Sequence, residues 1–302
     1  MTSLPARGLN GRMDVSPPLA AVPAPPPVVL REPAGPPGPV VFASPHSGRA
    51  YPPELLAAAR LDPDALRRSE DVFVDELFAA ATDHGAPLLA ATFPRAWCDA
   101  NREAWELDPA MFEGELPDWV NTTSPRVGAG LGTVPRVVAS GEAIYRRKLR
   151  FAEAEDRIAA CWTPFHAALR GMVDAARAAH GGCLLIDCHS MPSPHGGGRG
   201  PDFVLGDAHG TACAPVLTRL VEQGLTDLGY AVRRNDPYAG GYITRHYGRP
   251  REGVHALQIE VARSLYADEN RFGKLPRFAG LQSDMTTLIG LITRAAPALI
   301  AG

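Results

Sequence analysis

A single-domain α/β fold, with a mixed twisted sheet flanked by helices, is predicted by three features of this sequence. Short apolar runs alternate with stretches of helical periodicity from Val40 onward, the pattern of a layered α/β protein. Two of these runs end abruptly near a histidine in a turn-forming context, and open α/β sheets place ligands at such strand ends. At 302 residues, 45% hydrophobic and 21% charged, the chain is long enough to bury a substantial core.

The elements follow in order. Residues 1–39 are rich in Pro, Ala and Gly, as in SPPLAAVPAPPPVV, and lack the donors that regular structure needs, so they are expected to form a disordered or extended tail. A catalytic domain is expected over 40–302. Strands are predicted at Val40 to Ala43, Pro87 to Thr92, Cys183 to Cys188, Phe203 to Leu205, Ala231 to Arg233 and Ala256 to Val261. Asp64 to Thr82 sets Val72, Phe73, Leu77 and Phe78 on one stripe and is read as a helix stopped by Gly85. Between Ser140 and His180 two helices are expected, divided near Pro164, the second ended by Gly181-Gly182. Further helices are expected at Ala214 to Leu228 and Gln282 to Ala295. Asp108 to Arg136 has no period and many prolines and glycines, and loops of that length tend to be functional, so it is placed at a site entrance.

Composition narrows the function. A formal charge of −3 offers no bulk field for nucleic acid or an anionic membrane, and no apolar run approaches the roughly 20 residues of a membrane span. The five cysteines, Cys98, Cys161, Cys183, Cys188 and Cys213, are odd in number without CxxC spacing, which favours a reducing compartment. Prolines interrupt any signal-peptide core in the tail, so a cytoplasmic location is expected. SPHGGGRGPDF, from Ser193, lacks the phosphate-loop pattern GxxxxGK[ST], and no GxSxG points to Ser47 or Ser190 as a nucleophile.

The chemistry concentrates in three runs. LLIDCHSMPS ends in Asp187, Cys188 and His189, and VVFASPHSG brings His46 to a second strand end. In ALQIEVARSLY, Glu260 stands between Ile259 and Val261, where a buried carboxylate needs a cation or hydrogen-bond donors beside it. A hydrolytic zinc site takes three protein ligands, an open position, a carboxylate base and a cation for the developing oxyanion. His46 and His189 are candidate ligands. The third is sought in SEDVFVDELF, where Asp71 is preferred to Glu70, with Asp75 behind both. Asp187 is expected to face away from His189 and is given no role. His84, His166, His180 and His209 are expected to be surface or capping residues and His255 structural; His195, in the loop after His189, is left without a role.

FPRAWCDANR resembles the substrate-carboxylate motif of zinc carboxypeptidases, with Asn101 and Arg102 at its paired positions, and the order His46, Asn101-Arg102, His189-Ser190, Glu260 matches that family. It departs at the carboxylate ligand three residues after the first histidine, where this chain has Arg49. The fuller set, SPHSG, SEDxxVDELF, DANRE, DCHSM, PDFVLGD, GGYITRHYG and IEVxRSLY, resembles the N-formylglutamate amidohydrolase family from Val40 to Ala295. The resemblance implies a zinc-carboxypeptidase-like (phosphorylase/hydrolase-like) fold and hydrolysis of N-formyl-L-glutamate to formate and L-glutamate, a late step of histidine breakdown. The residues themselves are expected to hold one Zn2+ or another divalent metal per chain through His46, His189 and Asp71, the last preferred to Glu70, with Glu260 as catalytic base. A small dicarboxylate N-acyl amino acid suits arginine forks, and Arg102, Arg245 and Arg95 are the candidates, Arg245 on the glycine-flanked loop GGYITRHYG. The alternatives are a deacylase for another N-acyl amino acid and a non-catalytic binding protein on the same scaffold.

Overall fold

The apolar runs assemble into one seven-stranded sheet. The computed structural model describes residues 25–193 and 200–300. In sequence the strands are β1 (Val28–Arg31), β2 (Val40–Ser44), β3 (Leu88–Ala91), β4 (Cys183–Met191), β5 (Phe203–Gly206), β6 (Val232–Arg234) and β7 (Val254–Ala262), and their spatial order is β1-β3-β2-β4-β7-β5-β6. β3, β2, β4 and β7 run parallel, while β1 and the β5–β6 pair run against them. The sheet is therefore mixed, with helices on both faces, as the sequence predicts. Within the stretch 1–39 the chain already pairs with the sheet: β1 is an edge strand with Val29 and Leu30 exposed, too short and too exposed to announce itself by burial pattern. Residues 1–24 lie outside the described residues.

Side chains alternate between the two layers because a strand has a period of two. Val40, Phe42, Leu184, Ile186 and Cys188 pack with the helices Pro215–Asp227 and Phe278–Ile300, whereas Val41, Ala43, Cys183, Leu185, Val254 and Ala256 pack with the helix Thr163–His180. On this second face the apolar residues stop partway. Asp187 and His189 continue the row of Leu185, and Gln258 and Glu260 continue that of Ala256. The same face that is core at one end of the sheet is polar at the carboxyl ends of its parallel strands, where such sheets bind ligands.

The helices depart from expectation where they serve the site. Asp64 to Thr82 is not one helix: Pro63–Arg67 and Val74–Leu77 are separate, and between them Phe73 adopts φ 60. The apolar stripe is real, but the chain breaks at Ser69–Phe73 and turns Glu70 and Asp71 inward. Ser140 to Leu149 is irregular, and from Phe151 a single helical run reaches His180, crossing Pro164 through the π segment Ile158–Trp162. The wider turn removes the steric and hydrogen-bond conflict that a proline brings to an α-helix interior. GGYITRHYG is not a loop but carries the helix Tyr242–Tyr247, with Ile243 and Tyr247 buried under the second face.

Candidate active site

β2 and β4 are paired in register Ala43 with Asp187, so the residues just beyond β2 arrive beside His189. His46 stands in the turn after β2, held close to the β3 side by Gly48, where a Cβ would meet the Phe93 carbonyl oxygen at 1.9 Å. The backbone of Asp71 donates to the His46 carbonyl at 3.0 Å, which ties the broken helix to this turn. The two imidazoles lie with ring centroids 4.8 Å apart. Asp71 Oδ2 sits 3.3 Å from His46 Nδ1 and 3.0 Å from His189 Nδ1. One donor atom from each of the three buried residues falls within 4.8 Å of the others.

Each imidazole has a carboxylate on its far nitrogen. His46 Nε2 is 2.7 Å from Asp99 Oδ1, and His189 Nε2 is 2.9 Å from Asp187 Oδ1. An ionised carboxylate can only accept, so Nε2 carries a proton in both rings and both Nδ1 atoms face Asp71. His46 Nδ1 is a buried nitrogen without a hydrogen-bond partner among the described residues. Two carboxylate-braced imidazoles and a third carboxylate, with an orphaned nitrogen between them, match the donor set and bracing of a divalent cation site. Asp187 thus has a place that the sequence reading denied it. Residues two apart on a strand share a face, so Asp187 lies beside His189 rather than opposite, and its second oxygen accepts from Thr244 Oγ1 at 3.3 Å.

The neighbouring acids are accounted for. Glu70 is buried but turns away to accept from Tyr51 Oη at 2.6 Å and Arg67 Nε at 3.1 Å. Asp75 pairs with Arg49 at 3.2 Å, so the arginine at the carboxypeptidase ligand position points out of the site. Asp71 carries a further bond: its Oδ1 accepts from Arg263 Nη2 at 3.0 Å and Ser190 Oγ at 3.2 Å. Burial would raise the Asp71 pKa, but the hydrogen bonds and charges of His189 and His46 hold it well below the usual range. Burial likewise pushes His189 down, and Asp187 and Asp71 more than reverse it.

β4 and β7 pair His189 directly with Glu260. Glu260 is 7% exposed, and its Oε1 accepts from Gln258 Nε2 at 2.8 Å, while Gln258 Oε1 accepts from the Gly241 amide at 2.8 Å. Burial raises its pKa to about 7, with Asp71 and Asp187 adding to the rise and His189 and Arg95 opposing it. A carboxylate poised near neutrality is suited to proton transfer.

A cavity of about 530 Å³ opens over these groups and is lined by Arg95, Arg102, Arg126, Arg245 and Arg263 among others. Arg95 Nε donates to Asp99 Oδ2 at 2.9 Å. Arg102 is buried, with Nε on the Leu131 carbonyl and Nη1 on the Asn101 carbonyl, each at 2.7 Å. Burial, with the neighbouring charges of Arg95 and Arg126, pulls its pKa down to about 10 against the opposing pull of Asp99. Arg245 Nε donates to the Gly240 carbonyl at 3.2 Å. The Asn101 amide is pinned rather than free. Its Oδ1 accepts from the Ile243 amide at 2.8 Å, and Gly241 lies so close that a Cβ would come within 2.3 Å of Asn101 Nδ2.

Sequence reasoning brought His46, Asp71, His189, Glu260, Asn101, Arg95, Arg102 and Arg245 to one cavity, and all eight line it. It missed Asp99, Arg126, Gln258 and Arg263. Asp99 sits in the DANR motif itself and Gln258 is two residues before Glu260 on the same strand face, so both were open to a reading that followed shared faces. It also misread His166, which is buried, accepts from Tyr247 Oη at 2.9 Å and donates to the Ala100 carbonyl at 2.8 Å. That bond steadies the backbone between Asp99 and Asn101. His195 lies outside the described residues.

The architecture and the site are of hydrolase type: a buried acid near neutrality, a cluster of three donors and a wall of arginines at the carboxyl ends of parallel strands. The chain belongs to the N-formylglutamate amidohydrolase family, whose model matches residues 38–267. It is 32% identical over 241 residues to the N-formylglutamate deformylase of Pseudomonas putida, covering 76% of this chain and 82% of that protein. It is 33% identical over 238 residues to that of Pseudomonas aeruginosa, covering 76% and 83%. The crystal structure of N-formylglutamate amidohydrolase from Ralstonia eutropha JMP134 superposes with a TM-score of 0.84 at 39% identity, over 89% of this chain and 98% of that one. A gene product of Agrobacterium tumefaciens shares the fold at 21% identity, with a TM-score of 0.61 over 91% and 96% of the two chains.

Proposed function

We infer that this chain hydrolyses the formyl amide of N-formyl-L-glutamate to formate and L-glutamate, using a divalent cation held by His46, Asp71 and His189. The observation that carries this reading is the convergence of those three residues beside the buried Glu260 in an arginine-lined cavity, in a chain of this family. Zinc suits two imidazoles and a carboxylate, and iron, manganese and cobalt suit the same donors. When bound, the cation supplies Lewis acidity, polarising the formyl oxygen and easing loss of a proton from water. Glu260 accepts that proton as the water oxygen bonds to the formyl carbon. It then delivers the proton to the glutamate nitrogen as the carbon–nitrogen bond breaks. Arg95, with Nε held by Asp99, keeps its outer nitrogens for the oxygen on which negative charge develops. Arg102 keeps Nη2, and Arg245 both outer nitrogens, for substrate carboxylate. Asn101 positions the Tyr242–Tyr247 helix through Ile243 and forms part of the substrate wall.

We also propose a cytoplasmic location and a late step of histidine breakdown, with a catalytic domain that begins at β1 rather than at residue 40. Among N-acyl glutamates, the formyl derivative is the proposed substrate. Side-by-side kinetics on N-formyl-, N-acetyl- and N-succinyl-L-glutamate test this: the formyl substrate should have a kcat/KM higher by about tenfold or more, the discrimination that a methyl-sized change commands. An acetyl or succinyl substrate turned over equally well would assign the protein to another deacylase specificity.

A further inference from the structure

The cavity does not end at the reacting groups. A second chamber of about 500 Å³ continues from it, and the two share Asn101, Arg102, Arg126, Gly240, Gly241 and Arg245. None of His46, Asp71, His189 and Glu260 lines this outer chamber. The scissile amide hangs on the α-carbon of the substrate, so the α-carboxylate stays near the reacting groups. The side-chain carboxylate, two methylenes beyond the α-carbon, reaches farther out.

The arginines differ in how much of each fork is free. Arg263 is used up, with Nε on Ser190 Oγ, Nη1 on the Arg68 carbonyl and Nη2 on Asp71. Arg95 belongs to Asp99 and the inner end. Arg102 has two of its three nitrogens on backbone carbonyls. Arg126 is different: its guanidinium is exposed and makes no hydrogen bond or ion pair with another of the described residues. Its backbone, by contrast, is fixed. Ser124 caps the Pro125–Gly128 turn by accepting from the Val127 amide at 3.2 Å, the Arg126 carbonyl accepts from the Leu131 amide at 2.8 Å, and the Leu131 carbonyl in turn accepts Arg102 Nε at 2.7 Å. Arg126 and Arg102 are thereby coupled through one residue and present like charges to the shared opening, which an anion would relieve; the outer chamber's own carboxylates are engaged elsewhere, Glu103 accepting from Asn121 Nδ2 at 2.8 Å and Glu106 from Ser124 Oγ.

We propose that Arg126 is a specificity-determining residue that takes the side-chain carboxylate of the substrate at the junction of the two chambers, with Arg102 beside it. This rests on the reading of the cavity as the N-formylglutamate site. The test is steady-state kinetics of wild type, Arg126→Ala and Arg126→Lys on N-formyl-L-glutamate and on N-formyl-L-glutamine, which has the same shape without the charge. Arg126→Ala should raise KM for the glutamate substrate about tenfold or more, as loss of a charged hydrogen-bonded contact does, with kcat nearly unchanged. The glutamine substrate should lose far less, so the preference for charge shrinks by a similar factor, and Arg126→Lys should restore part of it. Equal losses on both substrates, or an unaltered preference, would overturn the assignment. A wild type that hydrolyses neither substrate would instead remove the functional reading and this inference with it.

Discussion

His46 and Asp99 are joined at 2.7 Å through Nε2, and this one hydrogen bond decides which face of the imidazole is available. It fixes the proton on Nε2, leaves Nδ1 as a lone-pair donor toward Asp71, and neutralises part of a buried acid that Arg95 and Arg102 also approach. Burial would raise the Asp99 pKa, but Arg102, Arg95 and His46 hold it well below the usual carboxylate range. Asp99 therefore links the cation end of the cavity to its arginine wall.

Replacing Asp99 should accordingly act on cation binding before it acts on chemistry. Asp99→Ala is expected to weaken divalent-cation affinity by about 10–100-fold, the usual effect of losing a carboxylate behind a ligating histidine. Competition with a chromophoric chelator measures it. An unchanged affinity would mean that the His46 tautomer is set by something else.

Glu260 has the opposite signature. Glu260→Gln keeps the shape and the Gln258 contact but cannot take a proton, so turnover should fall by about three orders of magnitude or more while cation affinity is retained. Near wild-type turnover in this variant would take Glu260 out of the mechanism.

The pH profile offers a signed check. Glu260 works as a base only when ionised, so kcat/KM should rise with pH through its pKa, which burial lifts and Arg95 lowers. Removing the cation of Arg95, as in Arg95→Gln, withdraws a lowering influence, so the acid limb should move to higher pH as well as losing amplitude. A limb that stays in place or moves to lower pH contradicts this assignment.

Loading of the cation should release a proton. Burial disfavours the charged form of His189, but Asp187 and Asp71 raise its pKa well above the ordinary histidine value, so the cation-free ring holds a proton near neutrality that a cation must displace. Affinity should fall as pH drops, and calorimetry in buffers of different ionisation enthalpy should register about one proton released per ion bound. Binding without proton release would show that His189 is already neutral.

Much of this arrangement was written locally in the sequence. The runs beginning at Val40, Pro87, Cys183, Phe203, Ala231 and Ala256 are short, apolar and bounded by turn residues, and a strand overlaps each of the six. His46 and His189 stood out because a polar residue at the end of an apolar run has few structural uses. What escaped depended on contacts between distant segments. The stripe of Val72, Phe73, Leu77 and Phe78 says that these residues are buried, not that the chain must break at Phe73 to present Asp71. Arg126 lies in a stretch without periodicity, and Arg263 gains meaning only when β7 and the turn after Leu66 bring it to Asp71. Asp187 was a different failure, of geometry rather than of information.

The most direct test of the whole account is a titration of the cation-free protein with zinc while formate release from N-formyl-L-glutamate is followed. Activity should be absent without the ion, rise linearly and level off at one equivalent, with no rise in His46→Ala or His189→Ala. Undiminished formate release from the chelated wild type, or full zinc-dependent activity in either histidine variant, would contradict it.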